Sequence, residues 1–123
     1  MKCATTPFIK IDEITNLCTS PCVKYIRHED PYNIFYIAFV KVISPEYVEL
    51  YNKLVEKGEL KQAERLLKEI SEKKAKEVRV VHRVQKLFDF QIDSVEVRNL
   101  LCAQLLEALS VYCCDKYLLV FQD

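Results

Sequence analysis

The side chains best able to do chemistry in this 123-residue chain are its six cysteines and two histidines. The cysteines are Cys3, Cys18, Cys22, Cys102, Cys113 and Cys114; the histidines are His28 and His82. Cys18 and Cys22 have three residues between them, one of them Pro21, whereas a redox dithiol usually has two. Cys113 and Cys114 are adjacent. Four thiolates (Cys18, Cys22, Cys113, Cys114), or three with His28, would supply the donor set of a tetrahedral structural zinc, although neither pair has the usual C-x2-C spacing. The same four residues are candidates for a disulfide, for example one tying the N-terminal segment to the last helix. The plainer expectation is buried free thiols that pack as small hydrophobes, and Cys102, inside an apolar helical pattern, is expected only to pack. His82 falls on the apolar side of its local pattern and reads as a core or interface histidine; His28 reads as a loop residue.

Glycine usage removes whole classes of chemistry. Gly58 is the only glycine. A Walker A loop needs two glycines and a dinucleotide fingerprint three, because backbone must approach phosphate closely. A glycine-flanked serine elbow is excluded on the same ground. No activated nucleophile or acid–base pair is discernible, so the expectation is a protein without catalytic activity.

Net formal charge is zero, yet it is unevenly spread. From Ser71 to Lys86 six basic residues (Lys73, Lys74, Lys76, Arg79, Arg83, Lys86) stand against Glu72 and Glu77; from Leu87 to Asp123 two basic residues stand against six acidic ones. The basic stretch is the one candidate nucleic-acid-binding patch, or it is matched to the acidic C-terminal part of its own or a second chain. Phe88 and Phe90 lie on the opposite parity from Arg79 and Arg83, so the patch is equipped to contact phosphates and not to read bases.

The elements that must position these residues follow from periodicity. Residues 1–31 are expected to be the least regular, with short strands at Phe8–Ile11 and Val23–Arg27 and turns at Asn16–Cys22 and His28–Pro31. Asn33–Ile43 (NIFYIAFVKVI) is rich in aromatic and β-branched residues, and its unbroken apolar run predicts a central strand covered on both faces. Ser44 and Pro45 open a helix, Gly58 closes it, and a second amphipathic helix is expected from Glu59 to Lys76, giving an αα-hairpin. From Val78 to Ile92 the period switches to two, with six of eight even positions apolar, which predicts one strand or a hairpin turning near Gln85–Lys86; a continuing helix is the competing reading. Asp93–Glu96 resembles a capping box opening a helix to about Tyr112, apolar around most of its circumference. Tyr117–Phe121 closes the chain as a strand.

These elements predict a single α+β domain over residues 1–123, its regular core at 32–123. It has an antiparallel or mixed sheet with the αα-hairpin and the C-terminal apolar helix on one face, in ferredoxin-like order if the middle is a hairpin. No apolar h-region or membrane-length span is visible, so an intracellular protein without a membrane partner is expected. The abundant Lys and Glu with scarce Gly fit a thermophile. The leading functional expectation is a small non-enzymatic protein that self-associates as a homodimer through the apolar helix, with Leu101, Leu105 and Leu109 at the interface. The alternatives are a nucleic-acid-binding regulator using residues 73–86 and a zinc- or disulfide-stabilised adaptor.

Overall fold

The structure, a computed structural model, describes residues 6–87, 94–112 and 114–121. The elements run β1 (Phe8–Lys10), β2 (Lys24–Glu29), β3 (Asn33–Ile43), α1 (Pro45–Glu56), α2 (Leu60–Glu69), β4 (Lys76–Gln85), α3 (Ser94–Leu109) and β5 (Tyr117–Leu119), with short 3-10 turns at Ile11–Glu13, Leu17–Thr19 and Ser110–Tyr112. This is an α+β protein, and its described residues build one antiparallel five-stranded sheet.

β3 is the axis of the sheet. One edge pairs along its length with β4, from Asn33↔Gln85 to Val42↔Lys76. Its other edge is shared: β2 takes Ile34–Phe39, and β5 takes Val42 and Ile43. β1 then pairs with β5. The N-terminal stretch, expected to be the least regular, thus supplies two strands of the same sheet.

Alternation along β3 sends its even residues to one face and its odd residues to the other. Ala38, Val40 and Val42 pack with Val84 and Leu118 under the buried stripe of α3, which is Val97, Leu101, Cys102, Leu105 and Leu109. Ile43, on the opposite face, joins Phe8, Leu119, Val48 and Ile70 beneath α1 and α2. The αα-hairpin and α3 therefore lie on opposite faces of the sheet, not together on one. The hairpin covers only the end built from β1, β5 and the last residues of β3. Beyond it, no helix among the described residues lies over the odd face of β2, β3 and β4, and Phe35, Ile37 and Phe39 are half-buried instead of fully covered. This corrects the expectation of a central strand covered on both sides.

Local chemistry accounts for the turns. Gly58 has φ 78°, its N–H donates to Val55 O at 3.0 Å, and the Glu59 N–H donates to Leu54 O at 2.9 Å. This is a Schellman closure, which needs a residue free to adopt positive φ. At the start of α1 the Ser44 side chain makes no capping bond, and Pro45 takes the first helical position. α2 ends earlier than expected, in a π-helical turn over Ile70–Lys74 closed by Ala75 N–H to Ile70 O at 2.8 Å. The turn buries Ile70 and lets β4 begin at Lys76, which also overturns a helix continuing through residue 88. Between α2 and α3 the described residues form one strand, where ferredoxin-like order needs two. The expected strand phase at 88–92 and the cap at Asp93 fall outside the described residues. No helix among the described residues is long and apolar enough to cross a membrane.

Candidate functional site

The uncovered odd face is where side chains of distinct chemistry are brought together. Cross-strand register places Lys24, Phe39 and Arg79 in one row, Ile26, Ile37 and Val81 in the next, and His28, Phe35 and Arg83 in the third. Each phenylalanine of β3 is thus flanked by a basic side chain from β2 and another from β4. Neighbouring strands lie about 4.8 Å apart, so the two basic rails are roughly 10 Å apart, and Phe35 and Phe39 are separated by about 13 Å along β3. Both outer members of every row are exposed; Ile26 and Val81 retain 42% and 49% of their accessible surface.

Contacts within the face order it without consuming it. Phe39 packs edge-on against Phe121 with ring centroids 5.6 Å apart, and Lys24 Nζ lies 5.9 Å from the centroid of each. The His28 ring is tilted against Phe35 at 6.3 Å. Among the described residues neither Arg79 nor Arg83 has an ion-pair partner. Lys41 closes the far end of the face, donating from Nζ to the carbonyl and hydroxyl oxygens of Ser71 in the π-helical turn, both at 2.9 Å. Past Phe121 the face leads into a groove of about 420 Å³ between α2 and β5, lined by Leu67, Lys68, Ser71 and Phe121 among others. Rings flanked by Lys24, Arg79 and Arg83 can stack on flat π systems while these cations meet a phosphate backbone.

The turn between β2 and β3 is held by Asp30, whose Oδ1 accepts from the Tyr32 and Asn33 N–H groups at 2.8 and 2.6 Å. These two backbone bonds hold its carboxyl below the usual aspartate range. Glu29 is held low first by the Lys86 hydrogen bond and then by the Arg27 charge; Lys86 Nζ is 3.0 Å away.

The six basic residues expected to form one patch are divided by the fold. Arg79 and Arg83 stand on the open face. Lys76 falls on the other parity, 5.4 Å over the Tyr112 ring. Lys86 is paired with Glu29, while Lys73 and Lys74 sit exposed on the π-helical turn. No ion pair among the described residues joins residues 71–86 to the acidic C-terminal part. His82, opposite Tyr36, lies on the α3 side.

Cys18 forms a disulfide with Cys102, linking the 3-10 turn at Leu17–Thr19 to α3 across 84 residues. An N-terminal tie to the last helix is thus present, but its partner is the cysteine expected only to pack. Cys22 is a buried free thiol whose pKa is raised by that burial, against a smaller opposing effect of the Ser20 hydrogen bond. Cys114 is free and exposed; Cys3 and Cys113 fall outside the described residues. With Cys18 oxidised the proposed thiolate set loses a member, and no group of three or more His, Cys, Asp or Glu able to hold a metal occurs among the described residues. Leu101, Leu105 and Leu109, expected at an interface, are 1%, 0% and 4% exposed. They are consumed by the protein's own core, because the sheet takes up the inner stripe of α3.

The phenylalanines of β3 were not legible as site residues, because an unbroken apolar run carries no mark of which face stays open. The parity of Arg79 and Arg83, shared with Val81, was the available signal. Comparison with protein-family models, with curated proteins and with solved structures finds no match.

Proposed function

We propose that the protein binds single-stranded nucleic acid on the open face of β2, β3 and β4. The observation that carries this reading is the register setting Phe39 between Lys24 and Arg79 and Phe35 between His28 and Arg83. Unpaired bases stack on the two rings, and the sugar–phosphate backbone runs beside the basic rails. Stacking tolerates any base, so recognition is of single-strandedness more than of sequence. A duplex keeps its bases stacked on each other and offers this face only phosphates.

The test is fluorescence anisotropy with a labelled mixed-sequence oligonucleotide of about 12 nucleotides, within the range of single-strand site sizes, against the same strand in a duplex. The single strand binds more tightly than the duplex, and Phe35→Leu weakens it. Equal or tighter duplex binding, or no binding in about 50 mM salt, overturns the proposal.

A further inference from the structure

β4 is a long edge strand of the described sheet. Among the described residues its only strand partner is β3, and ten residues of backbone line its other edge. Which groups point outward follows from the ladder. The Lys86 N–H donates to Tyr32 O at 2.8 Å, and Asn33 spends its carbonyl on the Asp30 N–H at 2.9 Å. Even residues of β4 therefore bond to β3, and Glu77, Arg79, Val81, Arg83 and Gln85 direct their N–H and C=O groups outward, since the two directions alternate along an antiparallel strand.

We infer that this edge pairs with the same edge of a second copy of the chain, antiparallel about a two-fold axis at Val80. Two-fold axes at Val80 and Val81 pair the most of Lys76–Gln85, and side chains choose between them. Centred on Val80, Glu77 of each copy faces Arg83 of the other, and Arg79 faces Val81. Centred on Val81, Arg79 faces Arg83 twice; centred on Arg79, that residue faces its own copy. Like charges directly opposite are destabilising and opposite charges favourable. Glu77 and Arg83 are both exposed and, among the described residues, neither has an ion-pair partner. Lys41, the cross-strand neighbour of Glu77 on β3, is engaged by Ser71. The β2 edge is a poorer candidate: it is six residues long, and Arg27 and Glu29 are already paired to each other.

A two-fold axis normal to the sheet makes the contact isologous. It joins two five-stranded sheets edge to edge and keeps both open faces on the same side. The contact also shields the longest unpaired edge of the described sheet, which would otherwise template uncontrolled association. The dimer does not depend on the nucleic-acid reading, and it is measured without oligonucleotide, so either can fail alone.

The test is sedimentation equilibrium on the full chain at high micromolar concentration, for wild type, Glu77→Arg, Arg83→Glu and the double exchange, with circular dichroism confirming that each is folded. Wild type and the double exchange are dimeric, and each single variant is monomeric. A monomeric wild type, dimeric single variants, or a double exchange that stays monomeric overturns the inference.

Discussion

Replacing Arg79 by alanine should change how binding of a single strand responds to salt. Each phosphate neutralised on a single strand contributes about −0.7 to the slope of log K against log salt. Among the described residues, Lys24, Arg79 and Arg83 are the lysines and arginines that flank the rings of the open face, Lys41 at its far end being engaged by Ser71. If each meets one phosphate, the slope is about −2.1, and affinity falls roughly 18-fold between 50 and 200 mM salt. Arg79→Ala brings the slope to about −1.4, and the double variant with Arg83→Ala to about −0.7. Lys76→Ala is the control, because that side chain belongs to the same basic stretch but lies over Tyr112 on the other face. It leaves the slope unchanged. Phe35→Leu separates stacking from charge: stacking is worth about 1–3 kcal/mol per base, so affinity drops about 5- to 150-fold at constant slope. The assay is anisotropy titration at four or more salt concentrations. An unchanged slope in Arg79→Ala and Arg83→Ala, or a slope lost equally in Lys76→Ala, would refute the assignment of the open face.

Three further outcomes test the scaffold. The Cys18–Cys102 disulfide closes a loop spanning 84 residues, which in the chain-entropy picture stabilises the fold by about 4–5 kcal/mol; urea unfolding with and without reductant measures the difference, and equal midpoints would show that the link does not form. Leu105, on the inner stripe of α3, is fully buried against the sheet, so Leu105→Ala should cost about 2–5 kcal/mol in the same assay, and a loss below about 1 kcal/mol would mean that α3 is not the cover of the main core. Glu29 and Asp30 have folded-state pKa values below their usual range. Their stabilisation is therefore complete above the unfolded-state values and is lost as pH falls through the folded ones. Asp30→Asn should flatten the acid limb of a melting-temperature profile while leaving the neutral region less stable, and an unaltered acid limb would count against the turn geometry.

Much of the scaffold was legible from local pattern. β3 occupies the expected residues 33–43 because aromatic and β-branched residues fill it without interruption. Gly58 marked the helix break because only one position in the chain tolerates positive φ cheaply. What stayed hidden depends on contacts between residues distant in sequence. The π-helical turn at Ile70–Lys74 interrupts a pattern that continues as an amphipathic helix through Ile70, and burial of Ile70 with the Lys41–Ser71 bonds accompanies its ending there. Cys102 looked like packing because a disulfide partner in α3 has the same apolar surroundings as any core residue. The open face was misread for a similar reason. Phe35, Ile37 and Phe39 are the same residue types that fill two-sided strands, and only the reach of the αα-hairpin, which stops at Ile43, decides which of them stay accessible.

The most direct test of the open face as the binding surface is a two-dimensional NMR titration of the full chain with a short single-stranded oligonucleotide. Resonances of Lys24, Ile26, His28, Phe35, Ile37, Phe39, Arg79, Val81 and Arg83 should shift together, while those of Leu100, Ala103 and Glu107 on the outer side of α3 stay in place. Shifts that cluster on α3 or on Lys73 and Lys74 alone, or a spectrum unchanged by saturating oligonucleotide, would contradict the account.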